Sequence, residues 1–210
     1  MAITESPPRR KDAIATRARL VRAALDLFTS IGYDRTTTLE IAARAGIAEA
    51  TIYRHFTGKD ALFNEAIREA NRWGLAAIRH DERDRTVAVR DRLTRMARRI
   101  LEQAARDPTL PVLLLQKIKP ELLEDATGSL RREFRDTLGH VFATAKQEGK
   151  VRPGSAELWS AVWLAVVQFA LERVVAREWT PDHSNVTLAL DAAWDAIAYR
   201  PVESPVSRPE

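Results

Sequence analysis

Residues 36–59 read TTTLEIAARAGIAEATIYRHFTGK, and the fold turns on how this stretch is parsed. Thr37-Thr38-Leu39-Glu40 has the Thr-x-x-Glu form of a capping box, in which a hydroxyl and a carboxylate satisfy the first free amides of a helix. A short helix is expected from there, closed at Gly46, where a residue without Cβ can take the left-handed conformation. Too few residues follow for a long loop, so a second helix is expected over 48–56 after a tight turn. Ile41, Ala42 and Ala45 are apolar and mostly small, which lets two helices cross closely. Ile47 and Ile52 would seat the second helix in the core, leaving Glu49, Ala50, Thr51, Tyr53, Arg54 and His55 for its outer surface. Two short helices across a tight turn form a helix-turn-helix, whose second helix enters the DNA major groove.

Outward from this segment, helix signals dominate and no period-2 strand run appears. Leu20, Ala24, Leu27, Phe28 and Ile31 keep helical spacing ahead of Gly32. Thr57-Gly58-Lys59-Asp60 has the form of a second capping box, opening a long helix through Leu62, Ala66, Ala70 and Trp73. The run RHDERDRT (79–86) has no apolar face and is expected to end that helix or form a loop. Val89, Leu93, Met96, Ile100 and Ala104 define the next helix, stopped near Asp107-Pro108. Pro111 and Pro120 predict one or two short helices with irregular joints over 108–126. Leu130, Phe134, Leu138, Val141, Phe142 and Ala145 mark another long helix ended at Gly149. Ser155 is the expected N-cap of a helix to about residue 177, and Thr180-Pro181 that of the last helix, striped by Val186, Leu190, Trp194 and Ile197. The expected fold class is all-α with about nine helices, a three-helix head before a larger helical body. The expected divisions are a basic tail (1–11), a DNA-binding domain (12–58), a ligand-binding and dimerisation domain (59–200) and a second tail (201–210).

Charge agrees with that division. Across 210 residues the formal net charge is +4, but residues 1–100 hold 20 Lys and Arg against 13 Asp and Glu, whereas residues 101–210 hold 13 against 16. An excess of +7 in one half is the footprint of a polyanion binder, although Arg is 27 of the 33 basic residues, which genome composition alone can produce. Arg9, Arg10 and Lys11 form either an arm reaching the minor groove or a solvated tail.

The residues from Leu20 to Phe63 resemble the tetracycline-repressor (TetR) family of bacterial transcription regulators. The likeness runs through Ala24-Leu25-Asp26-Leu27-Phe28, Gly32-Tyr33, Thr37, Ile41-Ala42, Ala45-Gly46-Ile47, Thr51-Ile52-Tyr53, Phe56, Lys59 and Leu62. It implies a homodimer that binds double-stranded operator DNA and is released by a ligand in its body, with repression the expected sense. It also makes Thr37 a phosphate contact as well as a cap, with Thr38 beside it. Thr51, Tyr53 and His55 become backbone or base contacts, and Lys59 a phosphate contact. Ala50 and Arg54 complete the expected DNA-binding set. Two positions depart from the family's pattern: Ala48 replaces a capping Ser, and Glu49 stands where a basic residue is common. Glu49 repels phosphate but can accept from cytosine N4.

Residues 158–171 are apolar nearly all round. Such a helix is buried on every side, and fourteen residues fall short of the roughly 20 needed to span a bilayer. The helices near 155–178 and 181–199 are therefore the expected dimer interface. Four of the five tryptophans lie in the last third of the chain. Trp73, His140, Phe142, Trp159, Trp163 and Gln168 are the candidates for contacts to a small apolar or amphipathic ligand, with core packing the competing role.

Without cysteine, thiolate metal sites and thiol nucleophiles are excluded. The four His are scattered, and no His-Glu-x-x-His, phosphate loop or Gly-x-Ser-x-Gly occurs, so neither enzyme activity, cofactor nor metal is expected. The N-terminus lacks the apolar centre of a secretion signal, so a cytoplasmic location is expected. A helical DNA-associated or adaptor protein with no ligand-sensing role is the alternative function.

Overall fold

The computed structural model describes residues 10–200, and all its regular elements are helices. The α-helices are α1 (Arg10–Ser30), α2 (Thr38–Ala45), α3 (Lys59–Asp81), α4 (Val89–Arg106), α5 (Thr109–Leu115), α6 (Asp125–Gln147), α7 (Ala156–Val175) and α8 (Ser184–Ile197). Glu49–Arg54 and Pro120–Leu122 are 3₁₀ segments. Val151 and Ala198 form an isolated antiparallel bridge. Among the described residues, only α7 is long and apolar enough by length and composition to cross a membrane.

Contacts group the chain into two compact units. The first runs to Ala76 and resumes over Arg106–Glu133, and the second comprises Ala77–Ala105 and the chain from Phe134 onward. The division expected at residue 58 falls inside the first unit, because the start of α3 completes the core of the helix-turn-helix. Leu20, Ala24 and Phe28 of α1, Ile41 and Ala42 of α2, Ile52, and Leu62 and Ala66 of α3 are all buried together in that unit. Phe28 meets Phe63 edge-on at 5.1 Å, and Tyr33 lies 4.8 Å from Phe63. α5 packs on α1, and Arg22 pairs with Asp107 just before it.

The stretch around the two prolines is held by a buried asparagine. Asn64 Nδ2 donates to the Leu122 carbonyl at 3.0 Å, and its Oδ1 accepts from the Glu124 amide at 2.8 Å. Arg131 Nη2 donates to the Gln116 carbonyl at 3.2 Å. These bonds supply what the irregular backbone cannot supply for itself.

In the second unit the core is formed by residues such as Leu93, Met96, Ile100, Leu138, Phe142, Trp163, Val167, Val186, Leu190 and Ile197. Ser155 caps α7, its hydroxyl accepting from the Leu158 amide at 3.4 Å. Helix α8 begins later than the Thr180-Pro181 pair predicts. The His183 amide donates to the Thr180 carbonyl at 3.0 Å, so Pro181 occupies the second position of a turn, which its fixed φ suits. His183 then serves as the N-cap, its Nδ1 accepting from the Asn185 amide at 3.1 Å. The buried face of α7 is Ser160, Trp163, Val167, Ala170, Leu171 and Val174. Its other face is open in the single chain, with Leu158 51 % and Phe169 47 % exposed.

Candidate nucleic-acid interface

The first turn of α2 is built as the sequence predicts. Thr37 Oγ1 accepts from the Glu40 amide at 3.2 Å, and the Thr37 amide donates to Glu40 Oε2 at 2.9 Å. The Thr37 hydroxyl also lies 2.9 Å from Glu40 Oε2. Both donors of Thr37 thus turn toward Glu40, and a phosphate would have to compete for them. Gly46 ends the helix with φ 67° and ψ 41°, its amide bonded back into α2.

The second helix differs from expectation. Residues 49–54 form a 3₁₀ segment rather than an α-helix over 48–56. Ala48, its N-cap, has no side-chain acceptor for the free amides, and the segment is short with β-branched Thr51 and Ile52 at its centre, conditions that favour the tighter helix. Ile52 is fully buried. With three residues per turn, Ala50 and Tyr53 share one face and Thr51 and Arg54 the next. Ala50, Tyr53 and Arg54 are exposed, whereas Thr51 and His55 are half-buried.

Glu49 has a role that the sequence conceals. Its Oε1 accepts from the Thr38 hydroxyl at 2.6 Å, tying the start of α2 to the start of the second helix. Two residues expected to face DNA therefore face each other. Glu49→Gln keeps an acceptor for Thr38 and removes one negative charge from the helix-turn-helix. Tighter DNA binding is expected, with the slope of log K against log salt steeper by up to about 0.9 per bound protomer. Glu49→Ala loses the bond and is expected to lower stability by about 1 kcal/mol. Gel shifts over a salt series, with urea unfolding alongside, check both; unchanged slope and stability would show that Glu49 does neither job.

Lys59 stands at the start of α3 over the ring of Tyr33, its Nζ 4.2 Å from the ring centroid and 3.1 Å from the Tyr33 carbonyl it bonds. Asp60, expected to fold back on Thr57, accepts instead from the Tyr33 hydroxyl. Burial and this hydrogen bond to a carboxylate push the Tyr33 phenol up to about 12. The aromatic thus stays neutral and anchors the cation and the turn before α2.

Arg9 of the expected arm lies outside the described residues. Arg10 and Lys11 are not tail but the first turn of α1, both exposed.

Of the six ligand candidates, Trp73 belongs to the first unit and the other five to the second. Phe142 and Trp163 are buried core, their ring centroids 6.1 Å apart. Trp159 is stacked under Arg152, 5.5 Å from the guanidinium carbon to its centroid. Gln168 donates to Glu172 on the same helix. His140 lines a cavity of about 400 Å³ with Ile78, Arg79, Glu82, Asp136 and Thr137. Volume permits a small ligand there, and Arg79, Glu82, Arg85 and Asp136 put charge among mostly apolar walls.

Residues 20–66 match the sequence model of the bacterial regulatory proteins of the tetR family. The chain is 27 % identical over 205 residues to the nucleoid occlusion factor SlmA of Vibrio atlanticus, covering 94 % of this chain and 98 % of that one. Its fold is similar to that of a TetR family transcription regulator from Marinobacter aquaeolei, with a TM-score of 0.72 at 20 % identity over 91 % of this chain and all of the other. It is likewise similar to FadR of Bacillus subtilis solved with stearoyl-CoA, with a TM-score of 0.69 at 16 % identity, covering 86 % and 98 %. At such identities the structural likeness is one of fold. Taken with the helix-turn-helix built over residues 36–59, the match shows that residues 20–66 are similar to the N-terminal DNA-binding segment of the tetR family of bacterial regulatory proteins.

Proposed function

We propose that the chain is a cytoplasmic repressor that binds a palindromic operator as a homodimer and is released by a small ligand in its C-terminal part. The observation that carries the DNA-binding half is the exposed, unpaired surface of Tyr53 and Arg54 beside Lys59, on a helix-turn-helix fixed from behind by Ile52. Arg is suited to bidentate recognition of guanine or to phosphate, and Tyr to backbone contact. Thr37, Thr38, Ala50, Thr51 and His55 line the approach. The reading assigns no catalytic residue.

The dimer is supported by the outward apolar residues of α7 and α8. Leu158, Phe169 and Val175 of α7, Leu188 of α8 and Tyr199 just beyond it are exposed large side chains on two helices that pack together. Apolar surface of that extent on one side of a soluble chain marks a partner site. Two-fold symmetry then requires half-sites about 34–36 Å apart or a multiple of that. Support for a ligand is the cavity beside His140 and the stearoyl-CoA of the FadR structure. The similarity to SlmA over nearly the whole chain favours a second reading, a DNA-bound protein that senses no small molecule.

Competition gel shifts at about 0.15 M salt between the region upstream of the gene and random DNA decide the first point. Preferential binding of the upstream region is expected, by about 1000-fold or more. Equal binding to both would end the regulator reading. A thermal-shift screen separates the two versions, since the ligand-sensing one requires a compound that stabilises the protein and loosens the operator complex.

A further inference from the structure

The helix-turn-helix is not the whole of the basic surface in its unit. Between α5 and the 3₁₀ turn at Pro120–Leu122 the chain crosses residues 116–119, Gln-Lys-Ile-Lys, in extended conformation, with φ/ψ of −59°/137° at Gln116 and −65°/130° at Lys119. Lys117 and Lys119 are exposed and Ile118 between them is half-buried. The side chain of neither lysine has an ion-pair or hydrogen-bond partner among the described residues. The segment is nevertheless firmly placed, with the Gln116 carbonyl bound by Arg131 and the backbone on the far side bound by Asn64 at Leu122 and Glu124.

What this segment faces is the turn leading into α2. Lys117, Ile118 and Lys119 line one cavity of about 370 Å³ with Tyr33, Asp34 and Arg35. Arg35 is two residues from Thr37, the cap of α2, and the Tyr33 ring and carbonyl hold Lys59. A cavity of that volume separates its walls by on the order of 10 Å, which is also about the Debye length at 0.1 M salt. Charges at 117 and 119 are therefore reduced by screening only to roughly a third across the cavity and still act on a phosphate at its far wall. Among the charged residues lining this cavity Arg35, Lys117 and Lys119 outnumber Asp34.

We propose that Lys117 and Lys119 are a second phosphate-contacting element, which extends the DNA contact of the head beyond the helix-turn-helix to the duplex backbone flanking each half-site. The proposal rests on the operator-binding reading. Because the two lysines are solvated point charges on a loop rather than groups in a groove, they add affinity and salt dependence and leave base preference alone.

The experiment is a salt series of gel shifts on operator and random DNA with the full chain, comparing wild type, Lys117→Gln/Lys119→Gln and the control Lys150→Gln. The double variant is expected to flatten the slope of log K against log salt by about 0.9 for each lysine in each bound protomer, equally on both DNAs. Lys150→Gln should match wild type, and thermal melting of all three should coincide, since none of these lysines has a structural partner. A double variant whose line runs parallel to wild type, whether at the same or lower affinity, overturns the proposal. Failure of the wild type to prefer operator over random DNA would instead overturn the reading on which it rests, and the two outcomes come from different lanes.

Discussion

A chain carrying Phe169→Asp and Leu188→Asp together is expected to run in light scattering as a 23.6 kDa monomer and to bind a two-half-site operator at least about 100-fold more weakly than wild type. Both side chains lie on the open side of the α7 and α8 pair, 47 % and 65 % exposed in the single chain. In the proposed dimer each would be covered, a gain of about 1.5–3 kcal/mol per side chain on burial. Aspartate at both positions removes that gain and leaves four carboxylates to be desolvated without partners across the two-fold interface, each costing several kcal/mol. The fold of the single chain should survive. Leu188 is solvent-facing, and Phe169 loses two ring contacts, edge-on with Trp179 at 5.6 Å and under the Arg173 guanidinium at 5.5 Å, each worth about 1 kcal/mol. Binding to a single half-site should then be unaffected, which separates loss of the dimer from damage to the head. A variant that remains a dimer would place the interface elsewhere.

The second large effect is expected at Glu65, a buried carboxylate on α3 that holds three guanidinium groups. Arg17 of α1 lies 2.9 Å away, and Arg68 and Arg72 of α3 lie 2.9 and 3.2 Å away. Arg68 reaches on to Glu124 at 2.8 Å and to the Thr127 hydroxyl at 2.9 Å. Burial pushes the Glu65 carboxyl up, but hydrogen bonds from Arg68 and Arg72 and the charge of Arg17 overcome this and hold it at about 2. The folded value lies below the unfolded one of about 4.3, so the stabilisation is complete above that unfolded value and is lost as pH falls through 2. Glu65→Gln should lower the unfolding free energy near neutrality by about 2 kcal/mol, less than the 3–5 of a fully buried pair because Arg17 and Arg72 are half solvated. The difference between wild type and variant should shrink steadily from about pH 4.5 to pH 2. Parallel stability curves across that range would mean that Glu65 contributes packing and not charge.

The helix-turn-helix was legible because its signals are local. The capping box at Thr37 and Glu40 and the left-handed Gly46 each involve residues within one turn, and both form as read. The proline-rich stretch resolves into one short helix and one 3₁₀ turn for the same reason. The second helix was misread in type, since a six-residue segment without a capping side chain is decided by a small balance between two helical windings. The start of α8 was misread because Thr-Pro suits both a helix entry and a turn, and only the later His183 cap distinguishes them. At the site, the bond between Thr38 and Glu49 joins residues eleven apart, and no periodicity signals it. The aromatic ligand candidates carry a signal with two readings. Tryptophan and phenylalanine at helical spacing fill a core as readily as they line a pocket, and Phe142 with Trp163 does the former.

The chain's order of helices, the caps at Thr37 and Ser155 and its basic N-terminal half are properties of neighbouring residues and of composition, and the sequence alone determined them. Which charges are spent internally and which remain for a partner depends on residues far apart in the chain, and only tertiary structure decided that. Glu65 gathers Arg17, Arg68 and Arg72, and Asp60 turns to Tyr33, whereas Lys117 and Lys119 are left unpaired beside the turn that leads into α2. Coulomb energy falls with distance through space and takes no account of separation along the chain.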